Sequence, residues 1–154
     1  MRTIRRPTRR AVLLASAGVP LLAACSSPAV RTQADVVDSV RRENLGNELQ
    51  LVATYRTALA ARPDLAAVLE PIRAAHQEHA DALAAGLPDP SSAMPSPSPS
   101  KGTDVVVMLR EAERMAVAMR TSSATRAIDS DLAALLSWIS ASEAQHVAML
   151  VVVP

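Results

Sequence analysis

The chain has 154 residues, one cysteine, three histidines and a formal net charge of +1. One tyrosine, one tryptophan and no phenylalanine leave almost nothing to stack on bases or sugars, and residues 1–10 hold five of the sixteen basic groups against fifteen acids in the whole chain. Everything after residue 24 is therefore acidic, which argues against a nucleic-acid partner, and a lone cysteine forms no intramolecular disulfide.

Residues 1–10, MRTIRRPTRR, are basic, and residues 11–24, AVLLASAGVPLLAA, are apolar apart from Ser16, Gly18 and Pro20. A basic start, a short apolar run and small residues before a cleavage point predict a cleavable export signal over 1–24. The run is too short to cross a bilayer, which takes roughly 20 apolar residues. Leu22-Ala23-Ala24-Cys25 resembles the lipobox of bacterial lipoproteins, which implies cleavage before Cys25 and acylation of that cysteine, palmitate included. Thr8-Arg9-Arg10-Ala11-Val12-Leu13 resembles a twin-arginine export signal, a route that carries folded and often cofactor-loaded proteins. These resemblances imply a protein anchored through Cys25 to the outer face of the cytoplasmic membrane. Residues 25–33 then form a lipidated tether.

From residue 34 to 151 glycine is scarce and apolar residues recur every three or four positions, the helical period. Helix 1 is predicted from about Ala34 to Ala61, ended by Pro63. Helix 2 starts near Asp64, whose carboxylate suits an N-terminus, and stops at Gly86, a natural residue just past a helix end. Pro71 inside helix 2 predicts a kink, and Gly46 costs helix 1 about 1 kcal/mol against alanine. Helix 3 begins at Thr103-Asp104 and runs to about Ser122. Helix 4 runs from Asp129-Ser130 to about Val151.

The connections differ in kind. Helices 1 and 2, and helices 3 and 4, are joined by tight turns that predict two antiparallel hairpins. Between helices 2 and 3 lies LPDPSSAMPSPSPSKG, residues 87–102. Extended at about 3.1 Å per residue, it reaches about 50 Å, more than the about 30 Å of a 20-residue helix. It spans a bundle from end to end, although the same segment also suits a loose linker in an alternating up-and-down bundle.

Polar residues interrupt the apolar stripes at matching heights. On helix 4 the stripe Leu132, Leu136, Ile139 and Leu150 is broken by Glu143 and His146. On helix 2 the stripe Leu65, Leu69, Ile72 and Leu83 is broken by His76 and His79. The two helices correspond position for position, so helix 4 repeats helix 2. Helix 1 adds Glu48 on the face of Leu45, Leu49, Val52 and Leu59, whereas Glu43 points away. Helix 3 offers two candidates. Glu111 lies with Met108, Ala112 and Met115, and Glu113 with Leu109 and Ala116; the stripe does not decide between them. A buried carboxylate or imidazolium is costly unless it pairs, reaches water or holds a cation, and all three histidines of the chain fall at such positions.

At these residues the chain resembles the ferritin-like superfamily, especially the ferritin-like domains of actinobacterial lipoproteins. The resemblance covers roughly residues 34–150 and implies an all-α four-helix bundle with the long crossover between helices 2 and 3. It also implies a di-metal site built from one Glu on each of two helices and Glu-x-x-His on the other two. Glu143-Ala144-Gln145-His146 matches one such pair, and Glu48 with Glu111 or Glu113 matches the single glutamates. Helix 2 departs, reading His76-Gln77-Glu78-His79, with His in place of the bridging carboxylate and Glu78 on the outer face. About three carboxylates and three histidines favour a single borderline ion such as Zn²⁺ or Cu²⁺ over a di-iron centre, with Fe or Mn as the other divalent candidates.

Nothing resembles a nucleophile triad, a phosphate loop or a nucleotide fingerprint. Three functions fit the residues: a tethered metal-binding bundle, a non-catalytic lipoprotein presenting a surface to an envelope partner with a metal-free His/Glu network, or a small-ligand cavity between Ala-rich helices.

Overall fold

The computed structural model describes residues 31–90 and 104–153. The export signal over 1–24, Cys25, most of the tether and most of the connection over 87–102 lie outside the described residues. Four helices carry the described chain: α1 (Gln33–Ala61), α2 (Ala66–Ala84), α3 (Val105–Arg126) and α4 (Ser130–Val151). The all-helical expectation holds, with no strand among the described residues.

Three of the four helix starts are capped by a short polar side chain. The Thr32 hydroxyl accepts from the Asp35 amide at 3.1 Å, and the Asp35 carboxylate accepts from the Thr32 amide at 2.8 Å. This reciprocal capping box begins α1 one residue earlier than expected, inside the predicted tether. Asp104 Oδ1 accepts from the amides of Val106 and Val107 at 2.8 and 3.3 Å, and Asp129 Oδ1 from that of Leu132 at 2.7 Å. Each cap contributes about 1 kcal/mol.

Asp64, expected to cap α2, does not. It lies within a 3-10 turn, Pro63–Leu65, and its carboxylate takes the Arg62 guanidinium at 2.7 Å instead. α2 follows from that turn without a side-chain cap and continues through Pro71 to Ala84. Gly86 sits just past the C-cap Ala85, and a Cβ there would run into the Arg41 guanidinium. The missing side chain thus lets a cation from α1 approach the C-terminal end of α2, where the helix dipole favours positive charge. α3 runs four residues beyond the expected Ser122.

α1 packs mainly on α2, and α3 mainly on α4. Asn44 and Glu48 of α1 meet Arg120 of α3, while Tyr55 meets Glu113, so α1 and α3 are antiparallel. Glu113 of α3 faces His146 of α4, and Val117 receives Ser140, so these two are antiparallel as well. In chain order the four helices therefore run up, down, down, up.

The apolar stripes meet as two separate plugs. One contains Tyr55, Ala58, Leu65, Leu69, Ile72, Val106, Leu109 and Leu150. The other contains Leu45, Ala80, Leu83, Leu87, Leu132, Leu136 and Ile139. Between them every helix contributes a buried polar group: Glu48 from α1, His76 and His79 from α2, Glu113 and Arg120 from α3, and Glu143 and His146 from α4. No helix among the described residues is long and apolar enough to cross a membrane.

Candidate metal centre

The polar layer is assembled by helical spacing. His76 and His79 lie one turn apart on the face of α2 that carries Leu69, Ile72 and Leu83, so they are buried with them. Glu143 and His146 occupy the corresponding positions on α4. On α3 the inward stripe is Leu109, Glu113, Ala116 and Arg120, which settles the choice left open on that helix. Glu113 is fully buried, whereas Glu111 is exposed and paired with Arg114 Nη1 at 3.2 Å. Glu111 cannot serve as a core ligand because it faces outward with Met115, which is 59% exposed. Glu43 and Glu78 are exposed, as their helix faces demand.

His76 is the hub. Its Nδ1 lies 2.9 Å from Glu48 Oε2 and its Nε2 lies 2.8 Å from Glu113 Oε1. Burial pulls the ring's proton affinity down, but the two carboxylates outweigh it and raise the pKa to about 9. His76 is thus an imidazolium clamped between two anions at neutral pH. Burial likewise pushes Glu113 up, yet the approach of His146 at 3.5 Å and the hydrogen bonds of His76 and Tyr55 bring it down to about 2. The Tyr55 hydroxyl donates to Glu113 Oε1 at 2.5 Å. Burial, and then the Glu113 charge, push the Tyr55 phenol far above its ordinary value, so it remains a donor.

Glu48 is held on its other side by Arg120, a guanidinium with no exposure at all. Arg120 Nη2 and Nε lie 3.0 and 3.3 Å from Glu48 Oε1, and its Nη1 donates to Asn44 Oδ1 at 2.9 Å. Burial raises Glu48, but His76, His79 and Arg120 together hold it well below the ordinary carboxylate range. Arg120 and Tyr55 were not singled out from the sequence. Their signal is there: 109, 113, 116 and 120 continue one stripe of α3, and 48, 52 and 55 continue one of α1.

The other half of the layer is open. Both carboxylate oxygens of Glu143, Glu113 Oε2 and His146 Nδ1 are buried without a hydrogen-bond partner, as is His79 Nδ1 on the Glu48 side. Glu143 Oε1 approaches Arg120 Nε only to 3.5 Å, and His146 Nδ1 approaches Glu113 Oε2 to 3.5 Å. Burial raises Glu143 to about 8, with the charges of Glu48 and Glu113 adding to it and that of Arg120 opposing it. Its carboxyl is mostly neutral at pH 7. Buried groups left without partners are uncommon in folded proteins, and three helices contribute to these.

Two sets of donors in the layer have the spacing to hold a metal ion. The ligand atoms of Glu48, His76 and His79 lie within 4.8 Å of one another, as do those of His76, Glu113 and His146. In the second set Glu113 lies 2.8 Å from His76 and 3.5 Å from His146; in the first, Glu48 lies 2.9 Å from His76 and 3.7 Å from His79. In the first set Glu48 is already engaged by Arg120 and His76. The Arg120 guanidinium lies between Glu48 and Glu143, 3.0 Å from the first and 3.5 Å from the second. Comparison with protein-family models, curated proteins and solved structures finds no match to this chain.

Proposed function

We propose that this chain is an exported lipoprotein, anchored by an acylated Cys25 to the outer face of the cytoplasmic membrane, whose ferritin-like bundle holds a divalent metal in its core. The observation that carries the metal reading is the convergence of buried donors without partners: Glu113 Oε2, His146 Nδ1 and both oxygens of Glu143. A cation supplies what those atoms lack; His76, Glu113 and His146 have the spacing to hold it through imidazole and carboxylate atoms, and the unpartnered oxygens of Glu143 add a further carboxylate to the layer. The ferritin-like arrangement is supported by the up, down, down, up order of the helices, which calls for a long connection between α2 and α3 of the kind the Pro/Ser-rich segment over 87–102 offers. The export and anchoring rest on the basic and apolar residues 1–24 and on Leu22-Ala23-Ala24-Cys25.

The test is elemental analysis of protein purified after its own export, together with thermal melting of metal-free protein. Near-stoichiometric metal is expected, and an ion present at a hundred times its Kd adds about 2.7 kcal/mol. Identical melting with and without Zn²⁺, Cu²⁺ or Fe²⁺ would sink the reading.

One observation favours the metal-free alternative, a structural lipoprotein that meets an envelope partner. Arg120 and His76 already neutralise Glu48 and Glu113. Under that alternative His146→Leu is neutral or stabilising, and affinity capture recovers the partner.

A further inference from the structure

We infer that the Arg120 guanidinium holds the position of a second cation, so that the core takes one divalent ion and no more, on the His76–Glu113–His146 side. The inference rests on the metal-binding reading above. Three carboxylates are buried in the layer: Glu48, Glu113 and Glu143. Arg120 lies against two of them, 3.0 Å from Glu48 Oε1 and 3.5 Å from Glu143 Oε1. It is fixed at its far side by Asn44, also buried, at 2.9 Å. Moving the guanidinium aside would strand Asn44 and Glu48 between two apolar plugs, which is unfavourable for a buried charge and a buried amide alike.

The charges close on one ion. Three ionised carboxylates are balanced by one guanidinium and one divalent cation, the ion taking the place of the His76 proton. A second divalent cation leaves the layer at +2 among apolar walls, with like charges in close contact at low dielectric. The free donors say where the single ion goes. Glu48 has Oε1 on Arg120 and Oε2 on His76, leaving only His79 Nδ1 without a partner on that side, whereas the Glu113, Glu143 and His146 side has four such atoms.

His76 links the two halves. Its Nε2 faces the open side, and its Nδ1 faces Glu48 at 2.9 Å. A carboxylate behind a ligating imidazole fixes its tautomer and orientation; here that carboxylate is Glu48, braced in turn by Arg120. The ion this donor set suits is a borderline one such as Zn²⁺, Cu²⁺ or Co²⁺.

The experiment titrates full-length metal-free protein with Co²⁺ and Cu²⁺ under equilibrium dialysis, with elemental analysis and Cu²⁺ electron paramagnetic resonance. Wild type is expected to bind one ion per chain, with the spectrum of an isolated Cu²⁺. Arg120→Gln, which removes the charge, is expected to bind two, with the signal broadened by coupling between neighbouring ions. Arg120→Lys, which keeps the charge, is expected to stay at one. Two ions in wild type, or a single ion in Arg120→Gln, overturns the inference while leaving metal binding intact. No ion in wild type overturns the metal-binding reading and the inference with it. If Arg120→Gln does not fold, wild type and Arg120→Lys decide: an isolated ion in both supports the inference, and a coupled pair in either overturns it.

Discussion

Leu65, Leu69, Ile72 and Leu83 of α2 match Leu132, Leu136, Ile139 and Leu150 of α4 position for position, and all eight are buried. In the gap between them the two helices part company. His76 of α2 has both ring nitrogens engaged by carboxylates, whereas Glu143 at the equivalent position of α4 has neither oxygen hydrogen-bonded. The reason lies on the neighbouring helices. α1 and α3 offer two glutamates to His76 of α2 but only the edge of Arg120 to Glu143 of α4. One repeat is completed by its surroundings and the other is left with unmet demand, so helical spacing brings polar groups together but does not saturate them.

The sharpest way to break this comparison is to delete the completed member. His76→Leu removes the cation between Glu48 and Glu113 and should destabilise the metal-free protein by ~3–5 kcal/mol, read from urea unfolding. A loss below 1 kcal/mol would mean that His76 is not the hub.

Next in size is the response to pH. The folded-state pKa values of His76 and Glu143 are raised, to about 9 and about 8. Their contributions are present at low pH and lost as pH rises, through about 9 for His76 and through about 8 for Glu143. Those of Glu48 and Glu113 are lowered, so their contributions are lost as pH falls below the ordinary carboxylate range. Metal-free protein should therefore melt highest near pH 5–6 and lower at pH 9. Saturating Zn²⁺ should flatten that decline, because the ion replaces the protons of His76 and Glu143. A melting temperature that rises from pH 6 to pH 9 without metal contradicts the assigned charges.

Tyr55→Phe removes one charge-assisted hydrogen bond to Glu113 and should cost about 1.5–3 kcal/mol by the same unfolding measurement. A smaller loss would indicate that Glu113 is held by His76 alone.

Glu143→Gln should change metal-free stability by no more than about 1 kcal/mol, since the amide stands in for a carboxyl that is neutral and unpartnered at pH 7. The same variant should weaken Zn²⁺ binding at least about tenfold, because the amide brings no negative charge to the ion. Equal stability losses in Glu143→Gln and His76→Leu would erase the asymmetry between α2 and α4. Glu111→Gln serves as the exposed control, worth less than about 0.5 kcal/mol.

Much of the architecture was legible in the sequence because it depends on periodicity. The stripes of α2 and α4, their polar gaps and the caps at Asp104 and Asp129 follow from spacing and residue type alone. Glu111 and Glu113 were not separable, because Met108, Ala112 and Met115 are as apolar as Leu109 and Ala116. Only the approach of α1, bringing Tyr55 onto Glu113, turns that face inward. Arg120 escaped notice for a different reason. An arginine is ordinarily solvated, and only the partners Glu48, Glu143 and Asn44 on two other helices make its burial tolerable. Asp64 misled because the ion pair with Arg62 competes with capping.

The chain has one tryptophan, and its ring stands edge-on to the buried imidazole of His79 with centroids 5.2 Å apart. Trp138 is itself 56% exposed, so one side of the indole meets water while the other touches the polar layer. All indole emission from this protein therefore arises at the rim of that layer. Light from a single native side chain reports changes of charge or occupancy within the bundle, without any label.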